Sequence, residues 1–170
     1  NGLSFEQRLF KRALDIFLSL IAIIIFSPFM LVIAAAIKLG DGGKILYKQK
    51  RLTINAKEFY VYKFRSMVEN AEKSGAKLAT DHDPRITPVG RFLRKTRLDE
   101  IPQFFNILKG DMSLVGPRPE RTENVYEYTQ MLPEFDLRHR VKGGLTGYAQ
   151  IYGKYNPINQ NLPYCRQHNP

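Results

Sequence analysis

The sequence predicts a mostly α-helical protein with a short β-hairpin, in which an N-terminal re-entrant membrane helix precedes a small cytosolic α/β domain. Three observations support this fold class. A long uncharged apolar run lies near the N-terminus, two short segments rich in β-branched and aromatic residues follow it, and helix-type segments make up most of the remainder. With 170 residues, the chain is long enough for one domain with a buried core.

The apolar run covers residues 16–37 and contains no charged residue. As one helix it would be about 33 Å long, which is enough to cross a bilayer core of roughly 30 Å. Ser27 and Pro28 lie near its centre. Because proline removes a backbone donor and clashes with the preceding turn, the sequence predicts a bend at this position.

Basic residues flank the apolar run on both sides. They are Arg8, Lys11 and Arg12 before it, and Lys38, Lys44, Lys48, Lys50 and Arg51 after it. Because positive charge marks the cytoplasmic side of a membrane, a helix that enters, breaks at Ser27-Pro28 and returns to the same face satisfies both flanks. By hydropathy alone, a kinked span is about equally compatible. A signal peptide usually has a shorter apolar core, and the remaining chain is not apolar enough to surround a buried helix.

Two strands are predicted at residues 44–50 (KILYKQK) and 58–64 (EFYVYKF), with LTINAK as the hairpin connection. Residues 66–78 have a helical composition, and Ser66 and Glu69 form a possible capping box. Further helices are predicted at 91–97, at 101–108 before Gly110, and at 124–132, followed by a glycine-rich loop around 143–147. The predicted division is a membrane helix at 1–40, a cytosolic domain at 41–155 and an atypical tail at 156–170.

Composition limits the classes of function. The net charge of +10 favours an anionic partner, which means nucleic acid, a phospholipid surface or a phosphorylated substrate. A single cysteine, Cys165, excludes an internal disulfide framework and a cysteine-clustered zinc site. The three histidines are far apart in sequence and do not have the spacing of metal ligands.

Two adjacent carboxylates, Asp99 and Glu100, come directly before a predicted helix start at which Pro102 is tolerated. The helix dipole and the preceding cations Arg94 and Arg97 are expected to lower the pKa of this aspartate. An ionised aspartate among cations can attack phosphorus or hold Mg²⁺ against a diphosphate. By themselves, the two residues are more typical of a helix cap beside a solvated glutamate.

Further cations strengthen the case for phosphate binding. Arg118 lies between two prolines in the segment Gly-Pro-Arg-Pro, and this stiff turn suits a guanidinium that binds a phosphate. Lys63 and Arg65 lie at a predicted strand end and helix start. Each signal also has a plain structural explanation, which is a turn paired to an acid or a solvated charge. Together, in a membrane-attached chain, they favour a phosphate site.

The chain resembles the bacterial sugar transferases, which are monotopic phosphoglycosyl transferases that act on polyprenyl phosphate. The resemblance extends from about Phe10 to Lys154. It rests on motifs that follow in family order: KRALDIFLSL with the later Ser27-Pro28, YKFRSM, DPRITPVGRFLRKTRLDEIPQ, NILKGDMSLVGPRPE and RHRVKGGLTGYAQIYGK. The first of these looks like the family's re-entrant membrane helix with its Ser-Pro break.

The resemblance implies transfer of a sugar 1-phosphate from a UDP-sugar to undecaprenyl phosphate, with release of UMP, at the start of exopolysaccharide, capsule or O-antigen synthesis. By motif, Asp99 corresponds to the catalytic nucleophile that forms a covalent intermediate, and Glu100 to the Mg²⁺ ligand. The implied phosphate-binding residues are Lys63, Arg65, Arg94, Arg97 and Arg118. The implied location is the bacterial inner membrane, with the catalytic domain on the cytoplasmic face, in contact with membrane lipid and without a nucleic-acid partner.

The chain departs from the family pattern at two places. Residues 142–144 are Lys-Gly-Gly where the family commonly has Lys-Pro-Gly, and residues 156–170 are polar and proline-broken where the family has an amphipathic segment. These departures leave open an inactive truncated transferase. The net charge of +10 leaves open a second alternative, which is a membrane-tethered basic module that binds nucleic acid. The sequence does not specify the UDP-sugar.

Overall fold

The computed structural model describes residues 4–69, 71 and 83–152. In these residues the helices are α1 (Phe5–Asp41), α2 (Pro88–Thr96), α3 (Gln103–Lys109), α4 (Thr122–Met131) and α5 (Tyr148–Tyr152). The strands are β1 (Leu46–Leu52), β2 (Glu58–Phe64), β3 (Ser113–Val115) and β4 (Gly144–Thr146). Short 3₁₀ segments cover Ile54–Ala56, Leu98–Glu100 and Pro133–Arg140. The predicted mostly helical fold with a short hairpin and a long N-terminal apolar helix is confirmed.

Helix α1 continues through Ser27 and Pro28, so the predicted break does not divide it into two helices. Pro28 has no N–H to donate to the carbonyl of Ile24. The Ser27 hydroxyl donates to that oxygen instead, at 2.9 Å, and this compensation allows the helix to continue. A bend of the helix axis at this position stays a prediction.

Most residues of α1 are exposed. Only 11% of its most apolar 18-residue window is buried, and by length and composition the helix can cross a membrane. Near its C-terminal end, Ile33 and Ile37 are buried in a core with Phe64, Leu93 and Ile101. The C-terminal end of α1 is thus packed against β2, α2 and the turn that follows α2. The division into domains at 1–40 and 41–155 stays a prediction.

Strands β1 and β2 form the antiparallel hairpin, with Leu46 opposite Phe64 and Leu52 opposite Glu58. The first strand begins two positions later than the predicted one. Asn106 is fully buried and joins α3 to this hairpin. Its side-chain oxygen accepts from the Tyr62 N–H at 3.0 Å, and its amide nitrogen donates to the Tyr60 carbonyl at 2.7 Å. Because both amide groups are satisfied, Asn106 fixes the position of α3 against β2.

The parallel pair β3–β4 was not predicted. The glycine-rich loop forms β4, which pairs with β3 and approaches the Gly-Pro-Arg-Pro turn. A Cβ atom on Gly144 would lie 2.1 Å from the Gly116 nitrogen, so only glycine allows this approach. In the middle of β3, the Leu114 N–H donates to the buried carboxylate of Asp15 at 3.0 Å, which ties α1 to β3.

The helix predicted to begin at Ser66 is wrong in its described part. Met67 pairs with Ile86 in an isolated antiparallel bridge, and the Ser66 carbonyl accepts from the Thr87 N–H at 3.1 Å. This tertiary pairing overrides the local helix propensity. Residue 70 and residues 72–78 of the predicted helix lie outside the described residues, as does the atypical tail at 156–170.

Candidate active site

The carboxylates Asp99 and Glu100 lie in a 3₁₀ turn between α2 and α3. Helix α2 ends at Thr96, and the next residue, Arg97, caps it in a left-handed conformation with φ 60°. Pro102 precedes the first residue of α3 and needs no hydrogen-bond donor there. The chain therefore changes direction sharply at the two carboxylates, and this turn brings them beside β2.

Glu100 is paired with two cations that come from different elements. Its Oε1 atom accepts from Lys63 Nζ at 2.6 Å and from Arg118 Nη2 at 3.1 Å, and 13% of its side chain is exposed. Burial opposes ionisation, but the two cations outweigh it and lower the pKa of Glu100 to about 2. Burial also lowers the pKa of the Lys63 ammonium, an effect that the Glu100 charge partly offsets.

Asp99 has the opposite environment although it is the adjacent residue. It is 9% exposed, and within the described part of the chain its Oδ1 atom has no hydrogen-bond partner. Burial raises the pKa of Asp99, against the favourable charges of Lys63 and Arg94. The expectation of a lowered pKa is therefore wrong, because the sequence lists the nearby cations but does not give the extent of burial.

The remaining predicted cations differ in how they are held. Arg65 forms an ion pair with Asp41 at the end of α1. Arg94 donates from Nε to the Ser66 hydroxyl at 2.8 Å. The Arg97 side chain is exposed. Two of the three guanidinium groups are thus oriented by contacts within the protein.

One cavity of about 840 Å³, named the site cavity here, is lined by all seven of the predicted catalytic and phosphate-binding residues. They are Lys63, Arg65, Arg94, Arg97, Asp99, Glu100 and Arg118. These residues come from β2, α2, the turn after it and the Gly-Pro-Arg-Pro segment, so the fold brings together positions that are far apart in sequence. A cavity of this size accommodates a nucleotide-sized ligand.

Sequence reasoning missed Arg51, which also lines the site cavity. Its Nη1 atom donates to Glu120 Oε1 and to the Pro119 carbonyl, both at 3.0 Å. These bonds hold the turn that carries Arg118. The alternation along β1 could have indicated this residue, since Tyr47, Gln49 and Arg51 share the more buried face of the strand.

The Arg118 turn is held from two further sides. The Arg118 carbonyl accepts from Arg138 Nη2 at 2.7 Å, and the Pro117 carbonyl accepts from the Gly144 N–H at 2.9 Å. The departure from the Lys-Pro-Gly pattern falls here, where a Cβ on Gly143 would lie 2.6 Å from the Pro119 side chain. The glycine pair therefore packs closely against the turn and helps to fix the Arg118 backbone.

A second cavity of about 1110 Å³ adjoins the site cavity and shares Arg97, Glu100 and Arg118 with it. Phe26 of α1 also lines this second cavity, and its ring stacks on that of Phe104 at a centroid distance of 6.5 Å. The predicted helix break at Ser27 and Pro28 does not line either cavity, but it follows Phe26 directly. The middle of the apolar helix thus lies at the edge of the candidate site.

The carboxylates of the candidate site fit a magnesium ion that substrate phosphates and water also bind. Mg²⁺ keeps several waters and is usually bound through one or two carboxylates together with substrate phosphates. Glu100 can supply such a carboxylate, and the Oδ1 of the adjacent Asp99 has no partner among the described residues. Among the described residues, no cluster of three or more His, Cys, Asp or Glu forms a site made by the protein alone.

Comparison with known proteins supports the resemblance to the bacterial sugar transferases. The family model "Bacterial sugar transferase" matches residues 6–168. An Aeromonas hydrophila protein named UDP-N-acetylgalactosamine-undecaprenyl-phosphate N-acetylgalactosaminephosphotransferase is 48% identical over 145 residues, which is 85% of this chain and 34% of that protein. UDP-glucose:undecaprenyl-phosphate glucose-1-phosphate transferase of Escherichia coli is 46% identical over 89% of this chain and 32% of its own length.

A shorter relative, the exopolysaccharide production protein PSS of Rhizobium leguminosarum, is 43% identical over 88% of this chain and 77% of its own length. The chain spans about one third of the length of the first two relatives. The family match covers nearly the whole chain, including every motif on which the resemblance rests. This chain belongs to the bacterial sugar transferase family.

Proposed function

We propose that the chain carries the catalytic part of a transferase that moves a sugar 1-phosphate from a UDP-sugar to undecaprenyl phosphate and releases UMP. The names of the relatives support the acceptor, since those from A. hydrophila and E. coli both include undecaprenyl phosphate. They differ in the sugar, which is N-acetylgalactosamine in one and glucose in the other. The proposal therefore includes a UDP-sugar donor of unspecified sugar.

The observation that carries the proposal is the unpartnered Oδ1 atom of the buried Asp99 beside several cations in the site cavity. A buried carboxylate oxygen without a partner destabilises a fold, so it is typical of a site in which a ligand completes the environment. The neighbouring cations match the charge of a diphosphate. Glu100 is already engaged by Lys63 and Arg118, which leaves Asp99 as the carboxylate with a free oxygen.

The reaction would proceed in two displacements at phosphorus. In the first, an Asp99 oxygen attacks the phosphorus that bears the sugar, and the bond from this phosphorus to the bridging oxygen breaks. UMP leaves with that oxygen and its electron pair, and a sugar-phosphoryl aspartate remains. In the second, an oxygen of undecaprenyl phosphate attacks the same phosphorus, and the aspartate carboxylate leaves unchanged.

The cations would orient and neutralise the diphosphate. Arg118 is held by the surrounding turn and presents its guanidinium next to Glu100, where a phosphate oxygen can share it. Lys63 supplies a second positive charge at the same carboxylate. Glu100 would hold Mg²⁺, which offsets the negative charge of the diphosphate when it is bound.

Membrane attachment through α1 belongs to the same proposal. Phe26 lies at the edge of the candidate site, so an acceptor phosphate at the bilayer surface would reach the cavities without leaving its lipid environment. Basic residues at both ends of α1 favour a re-entrant helix, with the catalytic domain on the cytoplasmic face of the bacterial inner membrane. Ser27 and Pro28 are the proposed position of the bend.

The central experiment measures UMP release from a panel of UDP-sugars, together with undecaprenyl phosphate, by the purified full chain. We expect release with one or a few sugars and its loss in Asp99→Asn, which removes the nucleophile but keeps the side-chain size. Glu127→Gln, at an exposed carboxylate on α4, is the matched control and should retain activity. Mass spectrometry after incubation with the donor alone should detect a sugar-phosphate adduct on Asp99.

Other outcomes would favour the alternatives. Normal membrane association without an adduct or UMP release would indicate an inactive scaffold. Tight, salt-dependent DNA binding without UMP release would favour a membrane-tethered nucleic-acid module, which the charge of +10 also suits. UMP release that persists in Asp99→Asn would contradict the nucleophile assignment.

Topology is tested by cysteine labelling in a Cys165→Ser background. Single cysteines at Gln7 and Gly42 mark the two ends of α1. In intact spheroplasts, a membrane-impermeant maleimide should label neither position if the helix is re-entrant, and permeabilised cells should label both. Labelling of one end in intact spheroplasts would instead show a helix that crosses the bilayer.

A further inference from the structure

A further cavity, lined by basic residues, is distinct from the site cavity and shares only Val115 with the second cavity beside it. It has a volume of about 830 Å³ and is formed between the N-terminal part of α1 and the segment 137–142. Its cations are Arg8, Lys11, Arg12, Arg140 and Lys142. This cavity, named the basic pocket here, shares no lining residue with the site cavity.

The acids that line the basic pocket are already engaged. Asp15 accepts from the Leu114 N–H at 3.0 Å and from the Ser113 hydroxyl at 3.1 Å, and its other oxygen is 3.7 Å from Lys11 Nζ. Asp136 pairs with the ring of His139 at 2.8 Å. The described acids of the pocket therefore do not balance its five cations.

The contacts of the cations lead to the same conclusion. Arg12 donates to the Ile107 carbonyl at 2.6 Å and to the Leu108 carbonyl at 2.7 Å, both of which are uncharged acceptors at the end of α3. Among the described residues, neither Lys142 nor Arg140 has a hydrogen-bond or ion-pair partner. Burial and the neighbouring Arg12 charge lower the pKa of Lys142. An anion in the pocket would relieve this repulsion.

The position of the pocket indicates where the anion comes from. Arg8, Lys11 and Arg12 directly precede the uncharged apolar part of α1. On the facing segment, Leu137 is 49% exposed and Val141 is 47% exposed. Exposed apolar side chains that alternate with cations are typical of a surface at the headgroup level of a bilayer.

We propose that the basic pocket binds the phosphate headgroup of an anionic phospholipid, with Arg140 and Lys142 as its direct contacts and Leu137 and Val141 against the acyl-chain boundary. The proposal rests on the membrane attachment put forward above and not on the transfer reaction. Bound lipid would fix the orientation of the domain on the bilayer surface. It would also supply the negative charge that the pocket lacks.

The test uses native mass spectrometry of the detergent-purified full chain with equimolar phosphatidylglycerol and phosphatidylcholine. We expect preferential retention of phosphatidylglycerol by the unmodified chain. Each of Lys142→Gln and Arg140→Gln should weaken it about fivefold, which corresponds to about 1 kcal/mol for each cation near an anionic lipid surface. The double variant should lose about 25-fold, if the two contacts are independent.

Lys95→Gln is the matched control, since Lys95 is an exposed cation on α2 outside the basic pocket. It should bind phosphatidylglycerol as the unmodified chain does, and thermal unfolding confirms that every variant is folded. Equal retention of both lipids, or an equal loss in the control, would overturn the proposal. Displacement of the lipid by millimolar inorganic phosphate would identify a free-phosphate site instead.

UMP release is measured on the same samples, so that failure of the lipid proposal is distinguished from failure of the proposed function. An active protein without lipid preference would refute only the basic pocket assignment. A protein that binds phosphatidylglycerol selectively but releases no UMP would leave the pocket assignment standing and contradict the transferase proposal.

Discussion

The site cavity and the basic pocket are both rich in lysine and arginine, but their charges are balanced in different ways. In the site cavity, Lys63 and Arg118 share the Glu100 carboxylate, and Arg65 pairs with Asp41. In the basic pocket, Arg12 binds neutral carbonyls and Lys142 has no described partner. The first region thus fixes Lys63, Arg65 and Arg118 through acids of the protein, whereas Arg12 and Lys142 of the second have no described acid partner.

The number of cations therefore does not by itself indicate the function of a surface. Where acids of the protein pair with the cations, the cations become fixed groups that tune neighbouring residues, as Lys63 and Arg118 do for the pKa of Glu100. Where acids are lacking, the net charge favours an external anion.

Replacement of Lys63 by methionine should reduce the free energy of unfolding by about 4 kcal/mol, because it leaves the largely buried Glu100 with only one of its two cations. Chemical denaturation in detergent micelles measures the change. The double variant Lys63→Met/Glu100→Gln should recover much of the loss, since no unpaired charge remains. A loss below about 1 kcal/mol would show that the pair behaves like a surface ion pair.

The contribution of Glu100 should depend on pH. Its pKa in the folded protein is lowered to about 2 from an ordinary value of 4.5, so its ionised form stabilises the fold above pH 4.5. That contribution, about 3 kcal/mol, should disappear as the pH falls from 4.5 towards 2. The measurement is the difference in the free energy of unfolding between the unmodified chain and Glu100→Gln across this range. A difference that does not change with pH would contradict the pairing.

Asp99→Asn should change the free energy of unfolding in the opposite direction to Lys63→Met. Burial raises the pKa of Asp99, so its ionised form destabilises the fold at pH values above its raised pKa. Removal of the charge should increase the free energy of unfolding at neutral pH by about 1 kcal/mol while it abolishes the proposed activity. Thermal unfolding and UMP release on one preparation test both effects. A destabilised Asp99→Asn would indicate that the aspartate has a structural role.

Lys142→Gln should produce the smallest effect. Because solvent screens this partly exposed ammonium, relief of its repulsion with Arg12 should stabilise the fold by only a few tenths of a kcal/mol in the absence of lipid. The gain should shrink as salt is added. Denaturation at low and high ionic strength measures it, and destabilisation at low salt would show that Lys142 has a partner within the protein.

Much of the local structure could be predicted from the sequence. The hairpin, α2, α3 and α4 lie close to their predicted positions, because residue composition and, for α3, the terminating Gly110 act within a few residues. The helix predicted from Ser66 failed at its start because Met67 pairs with Ile86, a contact that no local pattern reveals. The parallel pair β3–β4 was missed for the same reason.

The sequence alone establishes the apolar helix and the order of the motifs, and it predicts seven residues for the candidate site. The tertiary structure was needed to show that these residues line one cavity, that Glu100 is paired while Asp99 Oδ1 has no described partner, and that Arg12 and Lys142 have no described acid partner. The physical reason is that side-chain type is local, whereas burial and charge pairing depend on elements that are distant in sequence. The pKa values of two neighbouring carboxylates therefore differ in direction because of the fold.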